Sequence, residues 1–457
     1  MSRGKKRKME EKKHLFSNRD LRLLLVPVVI EQVLASLMGT ADTMMVSNVG
    51  SAAISAVSLV DSINVLVIQV FSALAAGGAI ICSQYIGQGD TKNARYSAEQ
   101  LLLVTAGISI FLTVICIGFN EPLLRLIFGE VEAAVMENSM TYFFFTALSF
   151  PFIALYNAGA SVFRAQQNTG LPMTVSVISN LMNIVGNAIL IFGFGMGVAG
   201  AAISTLISRI FCAVVILCYL RLPRQQVVVN HYMGIRPSAK RIRTILAVGI
   251  PTGVENGMFQ FGKLAIQSTV STLGTAAIAA QAMTNILEGL NGIAAIGVGI
   301  GLMTVVGQCI GAGRRNDAVY YIKKLSVISE IVILAGCLLV YATTKPVTII
   351  GGMEAESARM CLYMMGWITI VKPIVWVFSF IPAYGMRAAG DVKFSMILSC
   401  ASMWIFRVSL CIFLCRVMGF GPMGVWIGMF TDWTVRGIFY TIRFHRRKWL
   451  DHHLIGS

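Results

Sequence analysis

Charge is scarce in this chain. Charged residues make up 13% of its 457 residues and apolar ones 56%, whereas a soluble domain carries about 25% charged residues. That deficit excludes an ordinary water-soluble globule. Histidine is rarer still. The five histidines (His14, His231, His445, His452, His453) fall near the two ends or in one central polar stretch, so no long apolar segment holds an imidazole for general-base or metal chemistry. None of the ten cysteines shows metal-ligand spacing, and Cys212/Cys218 and Cys411/Cys415 read as small apolar residues. A Gly-x-Ser-x-Gly elbow, a His-Glu-x-x-His pair and a paired catalytic carboxylate motif are all missing. An intramembrane enzyme therefore has no support, and the chain reads as a non-enzyme that needs no cofactor.

What is present is apolar length. Runs such as 101–118 and 322–340 approach or reach the roughly 20 residues that cross a bilayer core. Lipid cannot satisfy backbone amides, so such runs form helices or a closed barrel. Barrel strands are about 10 residues long and alternate strictly, which these runs do not. Spans are expected near 23–47, 54–82, 97–118, 140–163, 172–194 and 198–220, then near 244–272, 278–306, 321–343, 360–385, 394–417 and 422–442. The rest divides into a basic tail 1–22, a six-helix lobe 23–220, a polar basic linker 221–243, a second six-helix lobe 244–442 and a basic tail 443–457.

The net charge of +16 suggests nucleic acid until its placement is considered. Lys and Arg crowd the tails, the linker and alternate loops. This is the positive-inside pattern, and it puts both termini on the cytoplasmic side of the inner membrane, with no nucleic-acid partner. No cleavable signal is expected, because the apolar run after 1–13 does not end in small residues.

The chain repeats itself. Slid by 224 residues, Pro27 falls on Pro251, Glu31 on Glu255, Gly50-Ser51-Ala52-Ala53-Ile54 on Gly274-Thr275-Ala276-Ala277-Ile278, and Gln84 to Gly89 on Gln308 to Gly313. Pro, Gly, Glu and Gln are scarce in apolar helices, so their coincidence carries the repeat. Six spans per copy is an even number, so both copies enter from one side. They are parallel repeats about a pseudo-two-fold axis along the membrane normal, and a substrate path is expected between them. The expected fold is thus an all-α polytopic membrane protein of 12 transmembrane helices in two six-helix bundles. Pro27, Pro151, Pro251 and Pro373 are candidate bending points.

Leu37-Met38-Gly39-Thr40-Ala41-Asp42-Thr43 followed by Gly50, the loops 84–89 and 308–313, Phe163-Arg164-Ala165, and Arg387-Ala388-Ala389-Gly390-Asp391 together resemble the multidrug and toxic compound extrusion (MATE) family. The resemblance covers nearly the whole chain after the basic tail. It implies a secondary antiporter that exports drugs or metabolites, typically organic cations, against inward protons or sodium, with two lobes rocking about a central cleft. The alternative is a lipid-linked-sugar flippase or a dedicated metabolite exporter of the same superfamily.

Asp42 is the first candidate site residue. An ionisable group in mid-span costs at least about 2.5–3.5 kcal/mol, so it faces the interior and has work there. It can exchange a proton or offer hard oxygens to sodium, and beyond that no metal site is expected. In the family the matching acid couples cation entry to drug release. The resemblance places Asn183 on the fifth helix beside it. Four residues on, where relatives carry Asp, stands Asn187, and Asn157, Asn180 and Thr205 are further oxygen donors. Single amides in spans otherwise serve interhelical hydrogen bonding.

Glu31 lies three helical turns before Asp42 on one face, as a relay partner or as an interfacial residue. In the second copy Ile266 replaces Asp42, Lys263 replaces Gly39 and Glu288 replaces Asn64, while Glu255 persists. Glu255 and Glu288 either attract cationic substrate or neutralise Lys263. Gln260, Gln267, Gln281, Asn285 and Asn291 are candidate cleft residues, and Asp432, Arg436 and Arg407 a structural network. The partners expected are small cationic amphiphiles and the bilayer, with the chain acting as a monomer.

Overall fold

The computed structural model describes residues 14–455, with the side chains of 38–43 outside the described set. Among the described residues the regular elements are all helical. They are α1 Asn18–Ser47, α2 Ser51–Gln88, α3 Thr91–Gly118, a short α4 Asn120–Phe128, α5 Ala133–Leu148, α6 Phe150–Ala165, α7 Gly170–Gly193, α8 Gly197–Leu220, α9 Ala239–Val270, α10 Thr275–Gly311, α11 Arg315–Ile350, α12 Ala355–Ala389, α13 Val392–Val417 and α14 Met423–His445. With α5 and α6 taken as one broken rod and α4 set aside, the described residues form twelve rods, six in each half.

Among the described residues eight helices are long and apolar enough to cross a membrane, or nine when the bent pair α5–α6 counts as one span. α9 and α14 fall outside that set. α9 carries Glu255, Asn256, Gln260 and Lys263 mid-helix, and α14 carries Asp432 and Arg436, which lowers their hydropathy.

Several helices overrun their expected bounds. α2 has 38 residues and runs from Ser51 to Gln88, where hydropathy marks only 54–82. Hydropathy reports the stretch in lipid, whereas backbone hydrogen bonding continues until something stops it. At the 88–91 turn the stop is Gly89 in the left-handed conformation (φ 80°). Asp90 then caps α3 by accepting from the Asn93 amide at 3.0 Å. That bond holds the Asp90 carboxyl below the usual carboxylate range. α4 occupies a region expected to be loop.

Pro151 fulfils one bending expectation. α5 and α6 meet at Ser149 with a 41° bend, because proline offers no amide hydrogen to the preceding turn. Pro27, Pro251 and Pro373 sit inside continuous helices. The fifth rod of each half also departs from α geometry. α7 ends in a π turn at Ala188–Gly193, and α13 holds π turns at Met403–Val408 and Phe413–Val417.

The chain condenses into two compact units. One is Val26–Gly253; the other takes the described residues before Val26 and after Gly253. The boundaries fall inside α1 and α9, not in the linker 221–243. Each unit therefore includes the leading end of the other copy's first rod. In the second unit, Asp317 accepts from the Leu15 amide at 3.1 Å and pairs with His14 at 2.9 Å, and the Phe16 amide donates to the Tyr321 hydroxyl at 2.7 Å. In the first unit, Asn93, the repeat equivalent of Asp317, accepts from Arg241 at 2.5 Å, and the Ser238 amide donates to Gln100 at 2.9 Å.

The linker packs on the first unit as well. Val227 and Val229 are fully buried, and the Val227 amide donates to Gln166 at 3.0 Å. Burial pushes the Tyr232 hydroxyl up to about 12, against the pull of Arg221, whose guanidinium lies 4.9 Å from its ring centre. The first unit's core joins Phe71, Phe143, Phe150 and Leu124. The second has two clusters, one about Ile266, Met403 and Cys411 and one about Leu287, Met364, Met365 and Trp426.

Candidate functional site

The polar interior of each unit is built between rods. In the first unit, α7 and α8 carry the amides and hydroxyls. Asn183 donates to the Thr205 hydroxyl at 3.3 Å, Asn187 donates to the Asn183 side-chain oxygen at 3.4 Å, and Ser204 donates to the Asn183 carbonyl at 2.9 Å. Gly186 makes this approach possible. A Cβ there would lie 2.4 Å from the Ser204 hydroxyl oxygen, so any side chain would push α8 away. Asn180 is half-buried with an enclosed amide nitrogen that has no acceptor, and Asn157 is half-buried on α6. The structure thus links Asn183, Asn187 and Thr205 through one chain of hydrogen bonds. Asp42 lies in α1, but its side chain falls outside the described residues.

Glu31 is a partner in a buried ion pair. It accepts from Arg164 at 2.7 Å and from the Tyr156 hydroxyl at 3.3 Å, and it is 5% exposed. Glu255 repeats the arrangement in the second unit, accepting from Arg387 at 2.6 Å. Each pair joins the first rod of a repeat to its fourth. Neither acid neutralises Lys263.

Glu288 acts on Lys263 from a distance but forms its ion pair elsewhere. Its carboxylate is taken by Lys372 at 2.5 Å, and Lys372 also donates to the Glu288 carbonyl at 3.0 Å and to Asn291 at 2.5 Å. The Lys372 ammonium faces the Trp376 and Trp433 rings at 5.6 and 6.0 Å and is 1% exposed. Gly292 leaves its room, since a Cβ there would sit 2.9 Å from that nitrogen. Gln281 accepts from the Trp426 indole at 3.0 Å and donates to Asn285 at 3.1 Å. Lys263 is exposed and lies over the Phe259 ring at 5.0 Å. Asp432 is fully buried between Arg407 at 2.6 Å and Arg436 at 3.8 Å, and accepts from Ser402 at 2.5 Å.

Two groups escaped the sequence reading. Asp61 on α2 accepts from Asn64 and from the Tyr142 hydroxyl, each at 3.2 Å, with Arg209 acting on it. Lys372 stands in an apolar run immediately before Pro373 and carries the same signal that singled out Asp42, an ion in mid-span. Among the described residues no group of three or more His, Cys, Asp or Glu could hold a metal ion.

The interior is thus a set of charges and amides fixed inside helical units, the arrangement expected of a polytopic transporter. Comparison with known proteins decides the family. The MatE family model matches residues 27–189 and 251–413, two segments offset by the same 224 residues as the internal repeat. The chain belongs to the MatE family. It is a multi-pass membrane transporter.

Among its relatives, the "Uncharacterized transporter YisQ" of Bacillus subtilis is 27% identical over 443 residues, 93% of each chain. The "Probable multidrug resistance protein NorM" of Thermotoga maritima is 25% identical over 444 residues, 94% of this chain and 93% of that one. The "FAD transporter" of Shewanella oneidensis is 24% identical over 283 residues, 61% of this chain and 62% of that one. A multidrug resistance MATE family transporter of the MOP superfamily, solved in an outward-facing conformation, superposes with TM-score 0.87 at 20% identity, covering 94% of this chain and 96% of that one. A MOP superfamily transporter from Pyrococcus furiosus, described as having a binding pocket of reverse polarity, gives 0.87 at 20% identity, covering 95% and 96%. At that identity these likenesses concern the fold.

Proposed function

We propose that this chain is a secondary active antiporter that exports drugs or organic cations across the inner membrane, coupled to proton or sodium entry, with Asp42 as the coupling group. The observation that carries the proposal is the state of the other charges in the Val26–Gly253 unit. Glu31 is held by Arg164. Asp61 has Asn64, Tyr142 and Arg209. Both arginines of those rods are therefore engaged inside the unit, and Asp42 is the remaining carboxylate of its first rod. The neutral oxygens of Asn183, Asn187 and Thr205 suit either a proton on Asp42 or a sodium ion shared with it. One monomer cycles between states open to opposite sides, with cytoplasmic termini as the Lys and Arg bias supports.

Asp42→Asn tests this in proteoliposomes. We expect gradient-driven export to fall to the background of protein-free liposomes, with folding kept. Coupled export that persists at the wild-type rate would refute the assignment. Exchanging the proton gradient for a sodium gradient in the same vesicles identifies the coupling ion.

A further inference from the structure

In the second unit the described cations around Asp432 and Phe259 outnumber the carboxylates. Its spans hold three sets of ion pairs: Glu255 with Arg387, Glu288 with Lys372, and Asp432 with Arg407 and Arg436. Lys263 belongs to none of them. Lys263 and Arg407 each lie 5.0 Å from the centre of the Phe259 ring, so they stand within about 10 Å of each other at one aromatic side chain. Arg407 and Arg436 share one carboxylate, Asp432, and Lys263 adds a further cation beside Arg407. Adding Glu288 and Lys372 leaves the surplus at two. Glu288, paired with Lys372, also acts on Lys263 and Arg407, whereas Glu330 on α11 does not.

The placement of Lys263 says which way the surplus faces. Along α9, Ile250, Val254, Phe261 and Leu264 are exposed and apolar, the face expected against lipid. Asn256, Gln260, Lys263 and Gln267 recur at spacings of four, three and four, which puts them on one separate stripe. Gln260 is half-exposed, and Lys263 and Gln267 are exposed. Lys263 lies seven residues before the end of α9 at Val270, about 10 Å along the axis. An ammonium at that depth is costly unless it meets water or an anion. Here it has amide neighbours on its own stripe, and it shares the Phe259 ring with a second cation, Arg407. Such a site binds the acidic group of a ligand. The ammonium pairs with the anion, the Gln260 and Gln267 amides donate beside it, and the ligand's apolar body meets the Phe259 ring next to Lys263.

We propose that this unit is the anion-binding half of the transporter, with Lys263 as its specificity-determining residue, and that the exported molecules include amphiphiles bearing a carboxylate. The proposal rests on the transporter reading and extends its substrate class to acidic or zwitterionic amphiphiles.

The test is equilibrium binding with no gradient, so its outcome is independent of whether Asp42 couples transport. Fluorescein and its methyl ester, which differ by one carboxylate, are titrated against the detergent-purified full chain by fluorescence anisotropy. We expect fluorescein to bind the wild type more tightly than the ester. Lys263→Gln should weaken fluorescein about tenfold, the loss of one charge-assisted contact, and leave the ester unchanged. Lys263→Arg should retain binding, and Lys263→Glu should reverse the preference towards a cationic dye. Equal affinity for the two probes in the wild type, or fluorescein binding unchanged by Lys263→Gln, would overturn the proposal and reduce Lys263 to a side chain reaching for the interface.

Discussion

The two copies share a frame and differ in what the frame encloses. Glu31–Arg164 and Glu255–Arg387 are the same pair built twice, at 2.7 and 2.6 Å, joining first rod to fourth. The seam between the fifth and sixth rods is not built twice. Asn183 of the first copy corresponds to Arg407 of the second, and Ser208 to Asp432. The first seam is closed by neutral amides and hydroxyls, the second by a buried carboxylate between two guanidinium groups. Charges that recur hold rods together. Some charges of one copy alone do so too, Asp432 with Arg407 and Arg436 and Glu288 with Lys372, whereas Asp42 in the first copy and Lys263 in the second are the ones we propose for coupling ion and cargo.

The contrast between the seams gives the largest expected effect. Asp432→Ala leaves Arg407 and Arg436 buried without an anion, and breaking a buried pair in this way costs about 3–5 kcal/mol. Asn183→Ala removes neutral hydrogen bonds, which within membranes average about 0.6 kcal/mol each. Thermal unfolding of the two variants in detergent should therefore separate widely. Equal destabilisation would show that the charged seam is not the stiffer one.

The shared frame is tested next. Glu31→Gln and Glu255→Gln each leave one arginine unpaired. Each should cost about 3 kcal/mol and agree with the other within about 1 kcal/mol, the spread expected for one contact in two settings. A large inequality would mean that one of the acids has a second role, as a relay or in substrate binding, in addition to its structural one.

How much of this was legible follows from which signals are local. The rods, their number and the repeat were legible because Pro, Gly, Gln and Glu stand out in an apolar background. The partners were not. Glu31 and Arg164 are 133 residues apart, and Glu255 and Arg387 are 132 apart. The arginines belonged to recognisable motifs, but nothing nearby in the chain says what they bind. Lys372 had the right signal and was passed over, which left Glu288 with the wrong expected partner. α4 was missed because nine residues carry too little periodicity, and the π turns because no residue type encodes them. The exchange of leading ends between units begins at helices expected to belong wholly to their own copy, and hydropathy is blind to which unit a helix end packs against.

The exchange supplies the smallest effect and the finest comparison. The end before α1 is held on α11 partly by charge: Asp317, 7% exposed, meets His14 and also Arg314 at 2.8 Å. The end before α9 is held on α3 largely through neutral acceptors, with Gln100 bonded to the Ser238 amide and the Arg236 carbonyl at 2.9 and 2.8 Å. Asp317→Asn keeps the shape and removes the charge, so it should cost about 0.5–1 kcal/mol at low salt and less at about 1 M salt, where screening shortens to roughly 3 Å. Gln100→Ala should cost about 1 kcal/mol through two lost hydrogen bonds to backbone, and this loss should not depend on salt. Urea unfolding of both variants in mild detergent at the two ionic strengths reads the difference. If both losses shrink with salt, the second clamp depends on the Arg241 charge, bound to Asn93 and lying over the Tyr85 ring at 4.7 Å, more than on its amides. The two ends would then be held by the same force from opposite sides: a carboxylate receiving the chain in one unit, a guanidinium bringing it in the other.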